Sequence, residues 1–391
     1  MVSSTRDRSC AWVGLDHFVT TLEVNEMKAA VCYENNQPVR VEDVDQEGPR
    51  AAEVRVRMVA SGVCHSDLSV VTGVLPLQLP CVLGHEGAGI IEEVGEGVTN
   101  VKKGDHVVLS WVTPCGACFF CQIGRQNLCE FGAQLNLTCK MPDGTTRLHK
   151  DGKDLHAFSA LGTMAETAVV PANAAVKVPE DTPLEKAVLV GCAVMTGVGA
   201  VFNTAQVTPG SRVAVFGTGG VGLNVIQGAA IAGAEQVIAV DMNLRKLEFA
   251  KEFGATHTVD ASKDDPTPQI REITGGLGVD FAFEAIGRKE SIQQAYASCR
   301  KAGTCVVIGV APFTESVKLN AFLLPMLEKR LVGCWYGSAN PHFDIPRLIS
   351  LYRAGKLKLD ELVTKTYKLD EVNQAFSDMT EGKNARGVIL F

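Results

Sequence analysis

Three features of the sequence predict an α/β protein: a doubly wound parallel sheet joined to a second, mainly β unit. Short apolar runs at 212–217, 236–241, 256–260, 279–286, 304–310 and 331–336 alternate with helical stretches such as 244–253. Strands alternating with helices imply βαβ units and a parallel sheet. The first of these runs leads into a glycine turn, Gly217-Thr218-Gly219-Gly220-Val221-Gly222, and then an alanine-rich apolar stretch to Gly233. Before residue 110 the texture differs, with glycine-punctuated β-runs at 29–33, 53–60, 89–94 and 106–109.

A chain of 391 residues exceeds one comfortable core, so two domains are expected. Residues 1–26 read as a disordered tail, 27–193 as the first part of the β-rich domain and 194–336 as the parallel-sheet domain. Residues 337–391 do not extend the strand–helix alternation, and are assigned back to the β-rich domain, which makes it discontinuous. The stretch 113–163 reads as loop, with four cysteines at its start and a turn at Pro142-Asp143-Gly144. A loop that long inside a compact domain needs a special reason, and a metal site supplies one.

Hydrophobic residues make up 46% and charged residues 21%, ordinary for a globular protein. The net charge of −7 and the lack of any Lys/Arg run argue against a nucleic-acid partner. No apolar run reaches the roughly 18 residues of a membrane span. The mildly apolar stretch 11–19 is broken by Asp16 and His17 and lacks a cleavage pattern, so no signal peptide is expected. A cytoplasmic location follows, and clustered members of the thirteen cysteines become metal-ligand candidates rather than disulfides. Isolated Cys32, Cys81, Cys299, Cys305 and Cys334 read as small buried hydrophobes, while Cys10 and Cys139 receive no role.

A lone G-x-G-x-x-G is weak evidence in a chain with 38 glycines. Here a strand precedes it, a helix follows, and Asp241 ends the next strand. In that setting Gly217 permits the tight turn, Gly219 with Gly220 and Val221 lets backbone amides reach a pyrophosphate, and Gly222 lets helix and strand pack closely. The pyrophosphate meets the positive end of the helix dipole. Asp241 accepts hydrogen bonds from ribose hydroxyls and repels a 2′-phosphate, so the expected cofactor is NAD. Arg245 and Lys246, one helical turn on, are cations that could accept such a phosphate.

Cys115, Cys118, Cys121 and Cys129 form C-x2-C-x2-C-x7-C. Four thiolates satisfy a tetrahedral zinc with no open position, a structural site. The usual iron–sulfur spacing has a third short gap and a following proline, both missing here; buried cysteines without a metal are the ordinary alternative. Cys64-His65-Ser66-Asp67, Gly84-His85-Glu86-Gly87 and Gly191-Cys192 each have an ordinary structural explanation when taken singly, and spacing alone does not join them.

The ordered motifs G-V-C-H-S-D at 62–67, G-H-E-G-A-G at 84–89, the four-cysteine loop, M-P-D-G-T at 141–145, G-C-A-V-M-T-G at 191–197 and F-G-T-G-G-V-G at 216–222 resemble the medium-chain zinc-containing alcohol dehydrogenase family. The ending at 385–391 fits as well, and the match runs from about Met27 to Phe391. The resemblance implies a Rossmann domain beside a GroES-like catalytic domain, two zinc ions per chain, and reversible hydride transfer from a primary or aromatic alcohol to NAD. By the same resemblance Cys64, His85 and Cys192 hold the catalytic zinc, Glu86 is a transient or outer ligand, and Asp67 orients the histidine. Ser66 carries the alcohol proton away, while His65, Thr196, Lys246 and Arg386 join the glycine loop and Asp241 in binding cofactor. Two departures stand out: Ser69 occupies the place where many relatives end the proton relay in histidine, and His65 the place of an arginine on the pyrophosphate.

Alignment to the motifs places Trp111, Phe158 and Tyr336 at the substrate pocket, with Leu75 as a further lining residue. An aromatic, apolar pocket favours medium primary or aromatic alcohols over sugars. Three rival readings are a glutathione-dependent formaldehyde dehydrogenase, a nicotinoprotein with permanently bound NAD, and a scaffold that has lost its chemistry. Gly73, Val74, Leu75 and 131–137 offer none of the charges glutathione needs, and all seven candidate cysteine and histidine ligands are present. The long 129–163 segment resembles dimeric family members, so a homodimer is expected over a tetramer.

Overall fold

The computed structural model describes residues 25–391. The expected tail therefore lies outside the described residues as far as residue 24. Asn25 and Glu26 belong to the first strand, Asn25–Cys32, opposite Gln46 and Asp45, which corrects the tail boundary by two residues.

Six parallel strands form one sheet in the order His257–Asp260, Gln236–Asp241, Arg212–Phe216, Val279–Glu284, Cys299–Val307, Arg330–Gly333. The continuous apolar runs of the central strands follow from burial on both faces. Val213, Ala214, Val215, Ile238 and Ala239 are all fully buried. The helix Gly220–Ile231 is buried from Gly222 to Ala229, which explains why its sequence is mostly apolar, with Asn224 and Gln227 hydrogen-bonded inside.

The other unit combines a closed barrel of short strands with a seven-stranded sheet built on the long strand Glu53–Val63. The C-terminal strand Arg386–Leu390 returns to pair antiparallel with Glu53–Val63, setting Gly387 opposite Val63. Chain order thus brings residue 386 beside the segment that delivers Cys64.

The stretch 113–163 is not a loop. It contains the helix Glu130–Thr138 and a hairpin, Leu148–Lys150 with Lys153–Ala157, that helps close the barrel. These strands are short and carry His149, Lys150, Lys153 and Asp154, so no hydrophobic alternation marks them. The strand Arg40–Gln46 is a further element that sequence reading misses. The turn at Asp143 is an ion-pair staple: Asp143 bonds Arg50 (2.8 Å) and Arg147 (2.7 Å), and Arg147 also pairs with buried Glu53. Cys32, Cys81, Cys299, Cys305 and Cys334 are buried, and so is Cys139, against Cys81. No single helix among the described residues is long and apolar enough to cross a membrane.

Candidate active site

The strand Glu53–Val63 ends at Cys64, which sits at the start of the helix His65–Val71. His85 and Glu86 precede the strand Gly87–Val94, and Cys192 precedes the helix Ala193–Gly199. These three segments, remote in sequence, converge: one ligand atom from each of Cys64, His85, Glu86 and Cys192 lies within 4.8 Å of all the others. A second convergence joins Cys115, Cys118, Cys121 and Cys129 by the same measure.

The first cluster is dry and tightly held. Glu86 is fully buried, and both its oxygens accept from Nη2 of Arg386 at 2.6 Å. A Cβ on Gly62 would collide with this carboxylate, so only glycine fits beneath it. Burial pushes the Glu86 carboxyl up to about 7, against the opposing pull of Arg386. A hydrogen bond from Cys192 holds the Cys64 thiol well below its ordinary range, and the same bond, with burial, pushes Cys192 up. Asp67 is fully buried; its Oδ1 accepts from the Gly84 amide at 2.9 Å, and its Oδ2 lies 3.2 Å from His85 Nδ1. That second contact is close enough for electrostatic attraction but misaligned for a hydrogen bond. It turns Nδ1 away from the cluster and leaves Nε2 as the ring's ligand atom. Ser66 Oγ stands 3.7 Å from Cys64 Sγ, at the edge of the cluster. Ser69 instead donates to the His65 carbonyl at 2.9 Å, so its hydroxyl is spent on the helix.

Around the four-cysteine cluster, backbone amides point at sulfur. Cys115 N donates to Cys129 Sγ (3.2 Å), while Ala117 N and Cys118 N donate to Cys115 Sγ (3.4 and 3.3 Å). The amides of Cys121 and Glu130 draw the Cys118 thiol down to about 6. Amides aimed at sulfur favour thiolates, the form a metal binds. Both donor sets fit zinc, one as a closed four-thiolate set and one as a mixed set of thiol, imidazole and carboxylate.

The glycine turn sits where expected, between the strand Arg212–Phe216 and the helix Gly220–Ile231. A Cβ on Gly222 would strike the Gly217 carbonyl, whereas one on Gly219 would meet nothing within 4 Å. Packing within the chain therefore requires the first absence of a side chain but not the second. The open space over Gly219, at a helix start with no side-chain cap, is a cradle for an anion. A Cβ on Gly220 would strike the Arg386 side chain, which places that cation beside the helix start. Asp241 Oδ2 accepts from the Thr218 amide (2.8 Å) and hydroxyl (2.9 Å), fastening the turn, and Oδ1 accepts from the Asn243 amide. Lys246 lies by Gly382, and Val221 and Thr196 are partly exposed. His65 is exposed at the mouth.

An aromatic row leads outward from His85. Phe158 lies 5.1 Å and Trp111 6.5 Å from its ring, and Trp335 lies edge-on to Trp111 at 5.1 Å while remaining 47% exposed. Tyr336 does not line this row as expected. It is 1% exposed, its ring lies 4.7 Å from Trp111, and its hydroxyl donates to the Gly191 carbonyl at 2.7 Å, behind Cys192. The left-handed turn at Tyr336 (φ 52°) carries it inward and leaves Trp335 outside. Sequence reading missed Trp335 for that reason, although the adjacent tryptophan was the available signal. Leu75 is 37% exposed.

A family model described as an alcohol dehydrogenase GroES-like domain matches residues 50–180, and one described as a zinc-binding dehydrogenase matches 220–353. The chain belongs to the medium-chain zinc-containing alcohol dehydrogenase family. An NDMA-dependent alcohol dehydrogenase of Amycolatopsis methanolica is 46% identical over 366 residues, 93% of this chain and 98% of the relative. Among solved structures, benzyl alcohol dehydrogenase of Acinetobacter calcoaceticus matches with a TM-score of 0.89 at 36% identity, over 94% of this chain and 99% of that one. A short chain alcohol dehydrogenase of Escherichia coli complexed with NADH matches with a TM-score of 0.78 at 26% identity, over 94% and 99%. With its family's GroES-like and Rossmann-like pair of domains, this family member is an oxidoreductase of the alcohol dehydrogenase type.

Proposed function

We propose that this family member oxidises primary or aromatic alcohols to aldehydes, reversibly, with two zinc ions and a nicotinamide dinucleotide, NAD. The observation that carries this reading is the convergence of Cys64, His85, Glu86 and Cys192 with Ser66 at their edge and an aromatic row leading away. Bound there, zinc would lower the pKa of an alcohol as it lowers that of water, from 15.7 to about 7, on the order of 10 kcal/mol. The chain's own groups do the rest. Asp67 holds the His85 ring, and Arg386 fixes Glu86 so that its charge stays close without filling the cluster. Ser66 takes the alcohol proton outward, and because Ser69 is spent on the helix the proton leaves by His65 or solvent. The amides at Gly219, Gly220 and Val221, with Arg386 and Lys246 nearby, hold the pyrophosphate, and Asp241 favours NAD over NADP. The Acinetobacter relative acts on benzyl alcohol, which suits the row Phe158–Trp111–Trp335.

The test is metal counting beside an alcohol panel. Wild type should carry two zinc ions per chain, and His85→Ala one, with benzyl alcohol oxidation down at least about a thousandfold and the circular dichroism unchanged. Retained turnover in the one-zinc variant would overturn the reading.

A second reading is favoured by the NDMA dependence of the Amycolatopsis relative: the dinucleotide stays bound and a second substrate reoxidises it in place. Turnover of alcohol with NDMA and no added NAD, with dinucleotide retained through desalting, separates it from exchange. We also propose a cytoplasmic homodimer. Val310 (77% exposed), Phe313 (105%), Phe322 (70%) and Met326 (62%) are exposed apolar side chains on the segment that leads into the edge strand Arg330–Gly333, and such a segment fits a second copy.

A further inference from the structure

We infer that the four-cysteine loop is a clamp on the wall of the substrate pocket, with Asn127 as its positioning residue. The inference rests on the alcohol dehydrogenase reading above and adds a duty for a cluster that lies apart from the chemistry. Trp111 stands four residues before Cys115, where the loop begins. At the loop's other end the short turn Gln126–Leu128 runs into Cys129. In that turn Leu128 is exposed, Gln126 is half-buried, and Asn127 points inward, 4% exposed. Its Nδ2 donates to the main-chain carbonyl of Trp335 at 3.0 Å, across 208 residues of sequence. The loop thus carries one pocket tryptophan on its stem and clips the second at its far end, and the two rings meet edge-on at 5.1 Å.

The stem is seated in the core, with Val112 2% exposed and Trp111 packed against the same cluster, whereas the loop beyond Cys115 buries little apolar surface. Phe119 and Ile123 are 64% and 55% exposed, so the four sulfurs are what fixes its shape. The Trp335 side chain is 47% exposed between buried Cys334 and Tyr336, and among the described residues its carbonyl accepts from Ser338 N and Asn127 Nδ2. Fixing the loop therefore fixes the separation of the tryptophans. A bulky aromatic alcohol spans the row from His85 to Trp335 and depends on it. A two-carbon alcohol reaches only the inner ring and does not.

The test uses the full-length enzyme with Trp12→Phe as background, so that fluorescence reports Trp111 and Trp335 alone. Asn127→Ala should lower the ratio of kcat/KM for benzyl alcohol to that for ethanol about five- to tenfold, chiefly through KM, the effect of one lost buried hydrogen bond. Acrylamide quenching should rise in the absence of any substrate, while zinc content stays that of the background protein. Cys118→Ser, which opens the sulfur cluster, should move both readouts the same way. If either readout is unmoved in Asn127→Ala with its zinc intact, the clamp is overturned, and Asn127→Ala decides alone if Cys118→Ser fails to fold. Should the background protein oxidise no alcohol, the proposed function fails, and quenching still tests the clamp independently.

Discussion

Two serines three residues apart show how local hydrogen bonding divides similar side chains between chemistry and scaffolding. Ser66 faces the sulfur of Cys64, whereas Ser69 returns its proton to the carbonyl of His65. Ser66→Ala should lower kcat for alcohol oxidation near pH 7 by about a hundredfold, the usual size of a lost proton-transfer group. Ser69→Ala should leave kcat within twofold. Equal losses in steady-state assays would show that Ser69 carries the proton after all. Arg386 makes a related point. It was expected on the pyrophosphate; the fold places it beside Gly220 and also gives its Nη2 to Glu86, so one buried cation links the glycine turn to the cluster of Cys64, His85, Glu86 and Cys192. Strand pairing of residues 387 and 63 creates that link, and residue spacing could not announce it.

At the scale of single elements, the glycine turn separates structural from functional need. Gly222→Ala forces a Cβ onto the Gly217 carbonyl and should cost about 1–3 kcal/mol, seen as a lower midpoint in urea. Gly219→Ala meets open space and should melt like wild type, yet bind NAD at least about tenfold more weakly by fluorescence titration. Unaltered NAD binding in Gly219→Ala would remove the cradle from that residue. The staple at Asp143 gives a pH-dependent prediction. Burial pushes its carboxyl up, but the hydroxyl and amide of Thr145 and the Arg147 guanidinium outweigh this and hold it well below the carboxylate range. A carboxyl lowered by folding adds stability above its unfolded pKa and loses it as pH falls through the folded value. Wild type should therefore melt above Asp143→Asn at pH 7, by roughly 1 kcal/mol or less for a carboxylate this exposed. The gap should narrow below about pH 4. A gap that stays constant between pH 7 and pH 3.5 would show that charge is not its source.

The whole molecule presents one more feature that no single element explains. The parallel sheet ends at the strand Arg330–Gly333, and the preceding segment exposes Phe313 and Phe322 to solvent. Phe322→Glu should shift the sedimentation profile from dimer towards monomer at micromolar concentration without changing the circular dichroism. A wild type that sediments as a monomer would end the dimer proposal.

Much of this protein was legible in its sequence because the signals are local. The parallel sheet follows from apolar runs alternating with helices, the glycine turn from a spacing set by backbone geometry, and the four-cysteine cluster from thiols only 14 residues apart at most. For Cys64, His85 and Cys192 the sequence supplied the residues and a family resemblance supplied the grouping, since nothing local joins them. Tertiary structure alone decided the rest. It left Trp335 exposed beside Trp111 and buried Tyr336, through a left-handed turn at Tyr336. It paired Arg386 with Glu86, and it tied the cysteine loop to the Trp335 carbonyl through Asn127. These contacts join residues 208 and 300 apart. Over such separations partnership is set by how strands pair and close, which no periodicity in the chain records.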